Sequence, residues 1–85
     1  MDKIEEIILT RVLFELERAR LKHPKFPTDI IHQTAIMMEE AGEAVQAAND
    51  HVHSGDTIQA LEAELIQTAA MCVRCLESIA KTNRR

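Results

Sequence analysis

The sequence predicts an all-α fold, a three-helix antiparallel unit that completes a four-helix-bundle-type core by oligomerisation. Three segments carry apolar residues at helical spacing, and two short breaks that hold both prolines and one of the two glycines separate them. The 85 residues make one small domain, 1–85, with only two aromatic side chains for its core. Because a core of this size is marginally stable alone, we expect a homodimer or homotetramer.

The first helix is predicted over about 2–22. One stripe along it is apolar: Ile4, Ile8, Val12 and Leu16. Acids in its first turn and basic residues in its last turn complement the helix dipole. The segment His23-Pro24-Lys25-Phe26-Pro27 then ends the helix, because two prolines within four residues prevent its continuation.

The second helix is predicted over about 28–49, with Thr28 or Asp29 as its N-cap. Its apolar side holds Ile30, Met37, Ala41, Ala44 and Ala48. The segment 51–56 reads as the second break, and the third helix follows over about 56–80.

The third helix has Ser54 or Asp56 as its expected cap. Its packing stripe is predicted to hold Leu61, Leu65, Thr68, Cys72, Cys75 and Ile79. Cys72 and Cys75 lie in the middle of this helix with no strand pattern around them, which favours ordinary core cysteines over a redox or zinc pair.

Charge and hydropathy exclude several partners. A net charge of −4 and a pI near 5.5 give no basic surface for a nucleic acid polymer. The uncharged run 65–73 is far shorter than the ~20 residues that a bilayer helix needs. The acidic start of the chain differs from the basic start of a signal peptide, so we expect a cytoplasmic protein with no membrane contact.

An acidic cluster interrupts the second helix. Glu39-Glu40-Ala41-Gly42-Glu43 places three carboxylates within five residues, on about 100° of one helix surface. Their mutual repulsion favours a bound cation, and Mg²⁺ is the expected one. Glu64 is a fourth acid, on the packing stripe of the third helix, where a carboxylate requires a salt bridge, a metal or a groove.

The pattern Glu39-Glu40-x-x-Glu43, followed on the next helix by Glu64-x-x-Gln67, resembles the MazG-like all-α nucleotide pyrophosphohydrolases over about 20–79. The resemblance implies that Mg²⁺, or Mn²⁺ in its place, promotes hydrolysis of a nucleoside triphosphate to a monophosphate and pyrophosphate. It also implies that Glu40, Glu43 and Glu64 are the metal ligands, with Glu39 the leading acid of the first motif.

Hydrolysis also needs a base and groups that bind phosphate. Glu39 or Glu43 is the expected base that activates the attacking water. Arg74, on the same helix as Glu64, is expected to reach a phosphate, as are Lys22 and Lys25 beside the proline segment.

Gln67 departs from the resembling pattern, which has Asp at this position. The amide keeps an oxygen that can coordinate but removes one negative charge from the site, so metal affinity and water activation are expected to fall unless Glu39 supplies the missing charge. An alternative therefore stays open: a catalytically impaired relative that serves as a nucleotide-binding or protein-interaction oligomer. In a third, purely structural interpretation the carboxylates face solvent or pair with a neighbouring subunit.

Overall fold

The computed structural model describes residues 1–83, which form three α-helices and no β-strand. Helix α1 spans Lys3–Lys22, α2 spans Ile30–Ser54 and α3 spans Ile58–Asn83. The predicted all-α chain of three helices is therefore confirmed. Both α1 and α2 pack against α3. Within the described range, no helix has the length and apolar character needed to cross a membrane.

Helix α1 begins with a capping box. The Asp2 carboxylate accepts a hydrogen bond from the Glu5 backbone N–H at 2.8 Å, and the Glu5 carboxylate accepts one from the Asp2 backbone N–H at 3.3 Å. The helix ends where His23 donates its backbone N–H to the Ala19 carbonyl, at 2.8 Å, directly before Pro24. The proline thus ends the helix as predicted, because it cannot continue the backbone ladder.

Helix α2 is longer than predicted. Asp29 is its N-cap, with the Ile31 backbone N–H donating to the carboxylate at 2.9 Å. The predicted end near Asn49 is wrong, since the helix continues to Ser54. No glycine or proline interrupts residues 50–54, and the helix ends only at Gly55, whose φ of 73° lies in the left-handed region.

Helix α3 starts after this turn. The Thr57 hydroxyl accepts a hydrogen bond from the Ala60 backbone N–H at 3.2 Å, so neither of the expected caps begins the helix. Ser54 belongs to α2, and the Asp56 carboxylate accepts from the Thr57 N–H at 3.1 Å. The helix then extends beyond its predicted end at residue 80.

The buried apolar core is small and built largely from alanine. Its members among the described residues are Val12, Leu16, Ala19, Ala44 and Ala70. Ala70 is 1% exposed and packs with the larger side chains of α1, while Ile66, Ala69 and Val73 flank it. Small side chains at this contact let the helix backbones approach closely.

The predicted apolar stripes are only partly buried. Leu65 is 52% exposed although it was expected on the packing face of α3, and Ile79 is exposed as well. Ile4 and Ile8 of α1 are also exposed. The reason is that α3 contacts α1 through the small face around Ala70, which turns the larger Leu65 outward.

Two buried polar side chains attach the connection between α1 and α2 to α3. The Gln33 side chain, 1% exposed, donates from Nε2 to the Pro27 carbonyl at 2.5 Å and to the Ser78 hydroxyl at 2.8 Å. The Arg74 guanidinium lies 4.5 Å from the centre of the Phe26 ring. This connection is therefore held by specific hydrogen bonds and stacking.

Candidate metal centre and adjoining clefts

Three carboxylates from two helices meet beside the core. Glu40 and Glu43 are one turn apart on α2, and Glu64 reaches them from α3. Each of the three offers an oxygen that lies within 4.8 Å of the other two. Oxygens on one Mg²⁺ are about 3–4 Å apart, so small side-chain rotations would complete a ligand shell. We call these three residues the acid triad.

Two triad oxygens are buried without a hydrogen-bond partner among the described residues, one on Glu40 and one on Glu64. Burial raises the pKa of Glu40, and the charges of Glu43, Glu15 and Glu39 raise it further. Burial also raises the pKa of Glu64, and the neighbouring carboxylates of Glu43 and Glu40 raise it further. The triad is electrostatically strained, and a cation would relieve both the repulsion and the missing partners.

Helix α1 adds an acid that sequence reasoning missed. The Glu15 side chain is only 15% exposed and contributes to the raised pKa of Glu40. Arg18 holds it through two hydrogen bonds, of 2.9 Å from Nε and 2.6 Å from Nη2. A carboxylate next to buried Leu16, three residues before an arginine, was the available signal.

A cleft of about 370 Å³ opens beside Glu40. Cations line it as well as acids, because Arg18 and Lys22 of α1 lie along the same wall as Glu15. Gln67 of α3 completes the opposite wall together with Met71. Two cations next to the acid triad form an arrangement suited to a phosphate chain that arrives with its own metal. We call this the cationic cleft.

A second cleft, of about 300 Å³, lies on the other side of the triad. Its wall holds Glu43 and Glu64, and two further acids, Asp50 and Asp56, lie near its rim. The acid triad therefore borders two clefts, one lined by two cations and two carboxylates and one lined by four carboxylates. An anionic substrate would enter from the side of the cationic cleft, because the acidic cleft repels it.

The structure brings some predicted substrate residues to the triad and leaves others elsewhere. Lys22 and Gln67 lie in the cationic cleft. Lys25 is exposed on the connection between α1 and α2, and Glu39 is exposed beside the triad but outside it. Arg74 is ten residues from Glu64 on α3, which is about 15 Å along the helix axis.

Arg74 lies in a different cleft from the acid triad. It is 8% exposed, and its Nη2 donates to the His23 carbonyl at 3.0 Å. Arg18, which the sequence interpretation did not select, lines the cleft beside Glu40 and is paired there with Glu15.

Comparison of the chain with protein-family models, with curated proteins and with solved structures found no match. The resemblance to the MazG-like proteins and the metal-binding role of the triad therefore stay predictions from the two acidic motifs.

Proposed function

We propose that this protein is a Mg²⁺-dependent nucleoside triphosphate pyrophosphohydrolase, which converts a nucleoside triphosphate to a monophosphate and pyrophosphate. The observation that carries the proposal is the acid triad, in which Glu40, Glu43 and Glu64 converge from two helices with two buried, unpartnered oxygens. The MazG-like pattern of the sequence supports the same reaction.

The donor set of the triad fits Mg²⁺ or Mn²⁺. All three side chains offer carboxylate oxygens, which hard divalent cations prefer, and the triad includes no sulfur or imidazole ligand that would favour zinc. When bound, the ion would offset phosphate charge and polarise the bond to be broken. Glu40, Glu43 and Glu64 would hold it.

The other residues of the site have distinct tasks in this proposal. Arg18 and Lys22 would bind and orient the phosphate chain in the cationic cleft. Glu43 is the exposed member of the triad, so it would accept a proton from the attacking water, with exposed Glu39 as the other candidate base. Gln67 would hydrogen-bond to substrate or to water in the same cleft.

Gln67 also favours a second candidate function. An amide in the wall of the cationic cleft supplies one charge fewer than a carboxylate there. A protein with this wall would bind a nucleotide with its metal but activate water poorly, which describes a nucleotide-binding relative without turnover. Titration calorimetry that detects tight nucleotide binding without hydrolysis would select this alternative.

We further propose that the chain forms a homodimer or homotetramer in the cytoplasm, where its substrate would be found. An apolar stripe on α1 supports this assembly, since Ile7, Phe14 and Leu21 recur every seven residues and are 52%, 73% and 77% exposed. Sedimentation should give a mass above 9.6 kDa that falls to the monomer in Phe14→Glu. Val52→Glu, at an exposed position near the end of α2, is the control and should leave the mass unchanged.

The function is tested by pyrophosphate release from a panel of canonical and modified nucleoside triphosphates. The wild-type protein with Mg²⁺ should release pyrophosphate from at least one member, and Glu40→Ala/Glu43→Ala should not. Glu62→Gln is the control, because Glu62 of α3 pairs with Arg11 at 3.1 Å instead of joining the triad. If the folded protein binds metal but releases pyrophosphate from no member of the panel, the enzymatic function is contradicted and the binding role is favoured.

A further inference from the structure

A separate cleft of about 380 Å³ lies at the other end of α3 from the acid triad. The end of α1, the connection between α1 and α2, and the C-terminal half of α3 enclose it. The charged, hydroxyl and aromatic side chains on which the argument rests are those of six lining residues: Arg20, Phe26, Arg74, Glu77, Ser78 and Lys81. None of these residues belongs to the proposed catalytic site as the structure arranges it.

Arg74 is the unusual residue of this cleft. Its side chain is more than nine-tenths buried, yet no described carboxylate lies within ion-pair distance of it. Its described partners are the His23 carbonyl and the Phe26 ring, neither of which carries a charge. Burial and the neighbouring charge of Arg20 lower the pKa of Arg74, although the charge of Glu77 acts in the opposite direction.

The rest of the lining increases the positive charge. Glu77 is the single acid among the lining residues, and its carboxylate already accepts a hydrogen bond from Arg20. Lys81 adds a cation from the next turn of α3. Glu77 and, at 4.0 Å, Glu17 offset the charge of Arg20. Arg74 and Lys81 are therefore the two lining cations that no described carboxylate pairs with.

We propose that this cleft binds a phosphate group, either as inorganic phosphate or as the monoester of a nucleotide. A dianion matches the two cations Arg74 and Lys81, and the N–H groups of Arg74 other than the one bonded to the His23 carbonyl would donate to its oxygens. The Ser78 hydroxyl and the Lys81 ammonium lie in the same lining and supply further donors. We call this the phosphate cleft.

The phosphate cleft is independent of the acid triad. Arg74 is about 15 Å along α3 from Glu64, and the cleft contains no triad residue. Binding there requires no divalent cation. A metal-free experiment therefore tests the phosphate cleft without testing the proposed hydrolysis.

The test is titration calorimetry of the protein in EDTA with inorganic phosphate and, in a second arm, with adenosine monophosphate, at matched ionic strength. Saturable binding at millimolar concentration is expected in at least one arm. Tighter binding of the monophosphate would identify the monoester as the ligand, and equal affinity would identify free phosphate. Absence of saturable binding in both arms would overturn the proposal.

Two matched variants locate the binding. Lys81→Gln removes an exposed cation from the phosphate cleft and should weaken binding about threefold. Lys3→Gln makes the same change at an exposed lysine in the first turn of α1, outside the lining of both clefts, and should leave the affinity unchanged. Weaker binding in the control with unchanged binding in Lys81→Gln would overturn the proposal, and so would equal affinity in both variants.

Arg74→Gln is expected to disturb folding, so NMR provides the direct readout on the intact protein. Phosphate should shift the Arg74 Nε–H resonance and the ring resonances of Phe26, with the same midpoint as the calorimetric titration. Shifts confined to the Arg18 guanidinium would assign the anion to the other cleft and contradict the proposal.

Discussion

Glu40 of α2 and Glu64 of α3 each bury one carboxylate oxygen that no described residue hydrogen-bonds, and oxygens of the two side chains lie within 4.8 Å of each other. Two adjacent carboxylates in this state repel each other and lack donors. The free energy of unfolding of the metal-free protein should therefore rise when either charge is neutralised. A bound cation should raise it for the wild type.

Glu64→Gln is the sharpest test of this relationship. The amide removes one charge and supplies N–H donors for the neighbouring carboxylates, so the metal-free variant should be more stable by about 1–3 kcal/mol. The same change should abolish stabilisation by Mg²⁺, which raises the melting temperature of the wild type by mass action. Urea unfolding in EDTA and in millimolar Mg²⁺ measures both effects.

The matched control is Glu62→Gln, two residues earlier on α3. It breaks an exposed ion pair with Arg11, so it should cost less than about 1 kcal/mol and leave the response to Mg²⁺ intact. If neither Mg²⁺ nor Mn²⁺ changes the stability of the wild-type protein, the metal centre is refuted.

The triad also predicts a pH dependence. The pKa values of Glu40 and Glu64 are raised in the fold above the ordinary value of 4.5, so the folded state binds these protons more tightly than the unfolded state. Their stabilising contribution is complete below that value and is lost as pH rises through the raised pKa values. Relative to Glu40→Gln/Glu64→Gln, the metal-free wild type should lose stability as pH increases above 4.5 and passes through the raised pKa values.

Urea unfolding of both proteins across this pH range in EDTA gives the comparison. Parallel stability curves would mean that the two carboxylates titrate normally. Adding Mg²⁺ should reverse the trend for the wild type alone, because the ion binds the deprotonated acids.

The two glycines should respond in opposite directions to alanine. Gly55 has a φ of 73°, so Gly55→Ala forces a side chain into the left-handed region and should cost about 1 kcal/mol. Gly42 lies inside α2 with nothing within 4 Å of an added Cβ, so Gly42→Ala should stabilise by up to about 1 kcal/mol. Chemical denaturation of both variants checks the pair, and the same sign for both would contradict it.

Gln33 should be critical for stability. Gln33→Leu removes the donor to the Pro27 carbonyl and to the Ser78 hydroxyl at a site that is almost fully buried, so it should destabilise by about 1–3 kcal/mol. Gln46→Leu, at an exposed position on the same helix, should change stability by less than about 0.5 kcal/mol. Equal effects in denaturant titrations would show that the buried hydrogen bonds contribute little.

The sequence predicts the helices better than it predicts their packing. Local signals such as the acidic first turn and Pro24 act within one helical turn, and α1 matches its predicted range closely. The end of α2 was misplaced because a polar segment with two histidines resembles a loop, while the helix stops only at Gly55. The exposure of Leu65 could not be anticipated, since it depends on which face of α3 meets α1.

The candidate site also contains residues that the sequence predicts and residues that it does not. Glu40, Glu43 and Glu64 were recognisable because two motifs on successive helices carry them. Glu15 and Arg18 come from α1, and no sequence pattern links that helix to the motifs. Their place beside Glu40 follows from packing against α3, which only the three-dimensional arrangement reveals.

The turn at Gly55 determines the rotation about the helix axis at which the acidic motif of α3 meets that of α2. It has three non-helical residues, 55–57, and the His51 ring nitrogen lies 2.6 Å from the Asp56 carbonyl across it. Deleting one residue between Ile58 and Ala63 would rotate Glu64 by about 100° relative to the turn. Glu64 and Ala70 would turn together, so both the triad and the contact with α1 would be disturbed unless the turn absorbed the change. Between the two motifs, we therefore expect insertions and deletions that preserve the triad to fall within residues 55–57.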